Sequence, residues 1–276
     1  MTTVARKFVA LLLALAPLPA LAQPVPVTVE VSGNSALVRI GGNLAPLADL
    51  RLDFDDASAL SAATLGVSAE LIDTNAAGLL SRLPVGGGAL VPAELPLMIT
   101  IEPPALGGLS FRRVVHVELH THALAYTAGS RYRLLKAPLA GSFRDITGSV
   151  TAGSVRTRGT TGGFSQFLVV LDSRPTLDVV SVKLARLRAE VDKLPALEAD
   201  PLHAQLDAIE AGLGEESYAD AVGAAEAMRQ RVSARAGLAI PQEWRALRDR
   251  ENIAGELLAG LDTLVFSIGY LRDHGD

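Results

Sequence analysis

The chain has 276 residues, with 30 acids against 25 Lys and Arg and no cysteine, so disulfide staples, thiol catalysis, Cys-based zinc sites and thioether lipid anchors are excluded. A net charge of −5 argues against nucleic acid and anionic membrane surfaces as electrostatic partners. With 49% hydrophobic but only 4% aromatic residues, the interior must rest on Ala, Val, Leu and Ile, and aromatic platforms for sugars or cofactors are scarce.

Residues 1–22 read as a cleaved signal peptide. Arg6 and Lys7 form a positive n-region, Phe8 to Ala16 is an apolar run, Pro17-Leu18-Pro19 breaks it, and Ala20-Leu21-Ala22 supplies a small-x-small cleavage pattern before Gln23. The run falls short of the ~20 residues that span a bilayer. Cleavage removes two bases and no acid, leaving 23 bases, 30 acids and a net charge of −7. The expectation is export to the periplasm or beyond, with no transmembrane segment in the mature chain.

Residues 23–174 read as β. Val25, Val27, Val29 and Val31 alternate with Pro26, Thr28, Glu30 and Ser32, the period-2 pattern of a half-buried strand. Gly33-Asn34-Ser35 turns it into a partner strand, Ala36 to Ile40. Further strands are expected at Asp49 to Phe54, Val67 to Asp73, Leu97 to Glu102, Phe111 to Tyr126, Tyr132 to Lys136, Val150 to Arg158 and Phe164 to Leu171. Short strands spaced by Pro and Gly, without intervening amphipathic helices, predict an antiparallel β-sandwich.

Residues 175–276 change to helical periodicity. Leu177, Val180, Leu184, Leu187, Val191 and Leu194 are spaced 3-4-3-4-3, an a/d seam ended by Pro195. Asp200-Pro201 restarts a helix carrying Leu202, Leu206, Ile209 and Leu213. A third helix is expected from about Glu216 to Ala236, and a fourth from Pro241 to about Arg272, with Trp244, Leu247, Ala254, Leu258, Leu261, Val265 and Ile268 on its face. Glu256 and Asp262 argue against a membrane span in that last segment. The fold class is therefore α+β in two segregated domains, the second an antiparallel bundle of about four helices. It holds 18 acids and 11 bases, whereas residues 23–175 are balanced at 12 and 12. The seam is expected to pair with the fourth helix within one chain, which favours a monomer over a dimer.

Among chemistry-bearing residues, the segment Arg112 to His122 stands out. On a strand, His116, Glu118, His120 and His122 share one face, a ligand set suited by composition to Zn²⁺ or Cu²⁺. Same-face neighbours sit ~6.5–7 Å apart, so one strand converges about two ligands and a neighbouring strand must supply the rest. The plain alternative is a solvated polar stripe. Asp53, Asp55 and Asp56 at a strand exit offer oxygen ligands to Ca²⁺, or else cap the following turn. Arg131, Arg133, Lys136 and Arg144, beside Tyr126 and Tyr132, form a basic patch that docks the acidic helical half, binds an anionic glycan, or lies solvated. Gly-x-Ser-x-Gly, Ser-x-x-Lys of the lactamase type and His-Glu-x-x-His are absent, and Gly86-Gly87-Gly88 lacks the Lys and helix of a phosphate cradle.

Tyr132-Arg133-Leu134-Leu135-Lys136, Phe143-Arg144-Asp145-Ile146-Thr147 and Gly162-Gly163-Phe164-Ser165-Gln166-Phe167 resemble the closing strands of bacterial extracellular Ig-like or adhesin-type sandwiches. Leu50 to Asp55 followed by Leu65-Gly66-Val67 is similar to cohesin-like sandwiches. The whole chain resembles an uncharacterised family of signal-bearing exported bacterial proteins. That resemblance implies a binding or structural module with no catalytic residues to carry over. The expected function is thus non-catalytic: an envelope protein without cofactor, whose partner is a protein or envelope component. The alternative is a metal-binding or metal-dependent protein using the His116, Glu118, His120 and His122 face.

Overall fold

The computed structural model describes residues 22–42 and 44–276; the expected signal peptide lies outside them but for Ala22. In chain order the elements are β1 (Gln23–Val25), β2 (Val27–Ser32), β3 (Ser35–Gly42), β4 (Ala45–Ser58), α1 (Ala62–Leu65), β5 (Val67–Leu71), α2 (Ala77–Leu80), β6 (Ala89–Leu90), β7 (Leu97–Ile101), β8 (Ser110–Ala125), β9 (Tyr132–Ala137) and β10 (Arg144–Asp145). They continue with β11 (Thr147–Thr151), β12 (Ser154–Thr161), β13 (Gln166–Asp172), α3 (Thr176–Val191), α4 (Ala196–Gly214), α5 (Tyr218–Arg235), β14 (Glu243–Arg245) and α6 (Ile253–His274).

The strands form two antiparallel sheets of seven. One runs β1-β5-β7-β13-β9-β10, with β6 also on β13; the other runs β11-β12-β8-β4-β3-β2, with β14 also on β8. The inward residues are those the alternation predicts. Ala36, Val38 and Ile40 of β3, Leu50, Leu52 and Phe54 of β4, and Val115, Val117 and Leu119 of β8 meet Leu97, Ile99, Ile101, Phe167 and Val169 of the first sheet. That first sheet is buried on both sides, because Leu135, Leu168 and Val170 pack outward against Leu79, Leu83 and Phe143. Two strand expectations need correction. Pro26, without an N–H to donate, breaks the first valine run: β1 pairs with β5 in one sheet and β2 with β3 in the other. The expected strand Val150–Arg158 is a hairpin, turning between β11 and β12 at Gly153 with φ 101°.

The seam residues Val180, Leu184, Leu187, Val191 and Leu194 are buried with Leu257, Leu261, Leu264 and Ile268 of α6, while Leu177 is exposed. The second helix starts at Ala196, earlier than expected, and carries Pro201 inside it; the carbonyl Pro201 leaves unbonded belongs to Leu197, which is exposed. The expected fourth helix is overturned in its first part. Residues 243–245 form β14 on β8, and the helix begins only at Ile253, after a turn in which Arg248 has φ 58°. Trp244 explains the change: it stacks on Phe111 at 5.1 Å and joins Phe54 and Phe164 in the sandwich core, so burial of a large ring outweighs helix periodicity. Asn252 then caps α6, accepting from Gly255 N while its Nδ2 donates to the carbonyls of Arg113 and Gly162. By length and composition α6 is apolar enough to cross a membrane; 61% of its apolar window is buried in this fold.

The basic patch meets the helices. Lys136 and Arg144 pair with Glu256 of α6, and the Arg133 guanidinium lies 4.4 Å from the Tyr270 ring and 5.2 Å from Phe266. Lys183 of α3, fully buried, donates to Asp145 Oδ2 at 2.6 Å and to the hydroxyls of Thr263 and Ser267. Charged bonds thus tie β9 and β10 to α3 and α6.

Candidate functional site

The outer face of the β8 sheet places the histidines in rows across strands. Register puts Arg39, Asp49, His120 and Arg156 side by side, then Arg51, Glu118 and Arg158, then Asp53, His116 and Thr160. The inward neighbours Val115, Val117, Leu119 and Thr121 are buried, which fixes which way the imidazoles face.

The four expected ligands do not converge. Glu118 is held by Arg158 and approached by Arg156 at 3.8 Å, so its carboxylate is already neutralised. His116 turns to Asp55 at 3.4 Å and lines an open cavity of about 590 Å³ with Arg51, Asp53, Arg158, Glu226, Arg229 and Asp262. Burial holds the Asp262 carboxyl above the usual range, and Thr160 donates to it at 3.1 Å. His120 and His122 do come together, with ring centroids 4.6 Å apart, and both face Asp49 of β4: His122 Nε2 is 3.1 Å and His120 Nδ1 3.8 Å from Asp49 Oδ2. Partial burial first, then the nearby Arg156 and His122, lower the His120 pKa and favour the neutral ring. Asp49 was not among the expected ligands. The signal for it was the requirement that a neighbouring strand complete the set, but pairing of β4 with β8 is not written in the local pattern.

The acidic trio separates as well. Asp53 is bonded by Arg51 and Ser35, and that Arg51 bond holds its carboxyl below the usual range. Asp55 lies 3.7 Å from Arg113 and Asp56 3.5 Å from Arg112, with a bulge between Phe54 and Asp56 turning the side chains apart. Each has its own arginine, so no shared calcium cage forms from these three.

A second feature lies between the sandwich and the helices: a cleft of about 290 Å³ walled by Leu83, Pro84, Val85, Phe143, Ile146, Val179, Val182, Leu187 and Ala259. Its charged lining is paired internally: Arg144 and Arg186 with Glu256, Arg186 with Glu190, Lys183 with Asp145 and Arg174 with Asp172. Burial opposes ionisation of Glu256, but Lys136 and Arg144 outweigh it and hold the carboxyl at about 2; burial drops Lys136 to about 8. Burial likewise lowers Lys183, while Lys183 and Arg133 hold Asp145 below its usual range despite burial.

The chain belongs to a family of unknown function, DUF6689. The family model matches residues 9–272, so sandwich and helices are matched together. No curated protein and no solved structure matches the chain. Membership in DUF6689 therefore assigns no chemistry to either site.

Proposed function

We propose that this is a non-catalytic, exported envelope protein that binds a compact, largely apolar ligand in the cleft between sandwich and helices. One observation carries the reading: the cleft walls are apolar, and the charged groups lining it are paired with one another. A catalytic site holds an acid, base or nucleophile poised for the substrate. Here Lys183, the lysine that lines the cleft, makes its bonds to Asp145, Thr263 and Ser267 and has no donor left to offer. The cleft supplies shape and apolar surface, the usual ingredients of a small-molecule site.

The signal-like N-terminus supports a periplasmic or extracellular location, and the resemblance to Ig-like, cohesin-like and adhesin-type modules supports binding over chemistry. On this reading residues 23–174 supply most of the sandwich and residues 175–276 the helices, with β14 of the second half added to the β8 sheet, and the mature chain acts as a monomer outside the bilayer. Titrating the mature protein with an apolar, environment-sensitive fluorophore should give one saturable site, and Val182→Trp at the cleft mouth should weaken it about tenfold or more. An unchanged titration in that variant, or robust hydrolase turnover abolished by one point mutation, overturns the proposal.

A further inference from the structure

We infer that Asp49, His120 and His122 form a binding site for a Zn²⁺-type transition-metal ion on the outer face of the β8 sheet. One ligand atom from each residue lies within 4.8 Å of the other two, the one such group of three among the described residues. In a tetrahedral zinc site with bonds of 2.0–2.1 Å, ligand atoms stand about 3.3 Å apart. The observed contacts of 3.1 Å and 3.8 Å to Asp49 Oδ2 bracket that value, and rotation of the two imidazoles has to bring their ligand nitrogens, within 4.8 Å of each other, to the same spacing.

Three further features favour a metal over a chance cluster. First, Asp49 has imidazoles and no Lys or Arg as its ion-pair partners among the described residues, whereas Glu30, Asp53 and Glu118 on the same face each hold an arginine. Second, the arginines flanking its row are engaged elsewhere, Arg39 with Glu30 and Arg156 with Glu118. Third, His120 Nε2 lies 2.5 Å from Ser154 Oγ. With its proton on Nε2 and donated to that hydroxyl, the ring keeps its Nδ1 lone pair for the ion, the outer-partner arrangement that orients metal-bound histidines. Two nitrogens and one carboxylate select zinc or copper over calcium and magnesium, which require a shell of oxygens. Three protein ligands leave the fourth position to water or to a donor from a partner molecule.

The site is on a different face from the cleft, so its test does not depend on the proposed function. Tag-free, chelator-stripped mature protein is titrated calorimetrically with Zn²⁺ and, separately, with Ca²⁺. One Zn²⁺ per chain with a raised melting temperature, and no Ca²⁺ uptake, is expected. Asp49→Asn and His122→Ala should each weaken Zn²⁺ binding more than ~100-fold, and Ser154→Ala about tenfold, as loss of an outer partner does. His116→Ala should leave it unchanged. All four positions are at least partly solvent-exposed, and unaltered melting of the metal-free variants confirms folding. Absence of stoichiometric Zn²⁺ binding, Ca²⁺ bound in its place, or equal loss in His116→Ala overturns the inference.

Discussion

Glu256 joins three basic side chains at one point. It lies in the first turn of α6, where a carboxylate also suits the helix dipole, and it pairs with Lys136 and Arg144 from β9 and its edge neighbour and with Arg186 from α3. Gly162 makes the approach possible, since a Cβ there would stand 2.5 Å from the Glu256 amide nitrogen. Its carboxyl titrates at about 2 in the fold, against 4.5 in an open chain, so it stabilises the fold fully above about pH 4.5 and loses that contribution as pH falls toward 2. The shift corresponds to about 3 kcal/mol. Urea unfolding at neutral and acid pH should show this as a falling midpoint below about pH 4.5. Glu256→Gln should flatten that acid arm and, by leaving Lys136 buried without its counter-charge, cost about 3–5 kcal/mol at neutral pH. An acid arm of unchanged steepness in the variant would assign the acid sensitivity to other carboxylates.

Elements show where local pattern suffices and where it does not. The a/d spacing of Val180 to Leu194 sufficed for α3, because a helix this long needs its stripe covered and α6 covers it. Contact is close: a Cβ at Gly260 of α6 would lie 2.7 Å from Leu187 Cδ2. Leu187→Asp would bury an unpaired carboxylate at this point and should cost several kcal/mol, lowering the single melting transition of a wild type expected to sediment as a monomer. A wild type at twice the chain mass that becomes a folded monomer on this substitution would place the seam between chains instead. Pattern failed at Trp244 and Pro26. Trp244 fits a helical stripe with Ala254 and Leu258, yet its destination is decided by a hole among Phe54, Phe111 and Phe164, 80 or more residues earlier in the chain. Pro26 interrupts a perfect alternation that, taken alone, describes one strand. The site behaved alike: alternation placed His116, His120 and His122 on one face, while Asp49 became visible only once β4 was paired with β8.

At the scale of the molecule, the change in secondary structure near residue 174 is sharper than the boundary between cores. β14 comes from the C-terminal half and extends the β8 sheet; Trp244 and Ala246 belong to the sandwich core, and Val114 of β8 packs in the helical core. The joint is also polar, with Lys183 on Asp145, Glu256 on Lys136 and Arg144, and Asn252 on the carbonyls of Arg113 and Gly162. A fragment of residues 23–174 would therefore lack an aromatic ring from its core and strip Lys136 and Asp145 of their counter-charges Glu256 and Lys183, leaving them only Thr161 and the Thr147 N–H, a cost of several kcal/mol against a typical total of 5–15. Circular dichroism of that fragment should give β signal with a broad, non-cooperative melt, whereas residues 23–276 should unfold in a single transition followed alike by far-ultraviolet signal and Trp244 fluorescence. Extending the fragment to include β14 without α6 should not restore cooperativity, because Glu256 would still be missing. A sharp, reversible melt of residues 23–174 would mean that the sandwich tolerates loss of Trp244, and the two halves would then count as independent folding units.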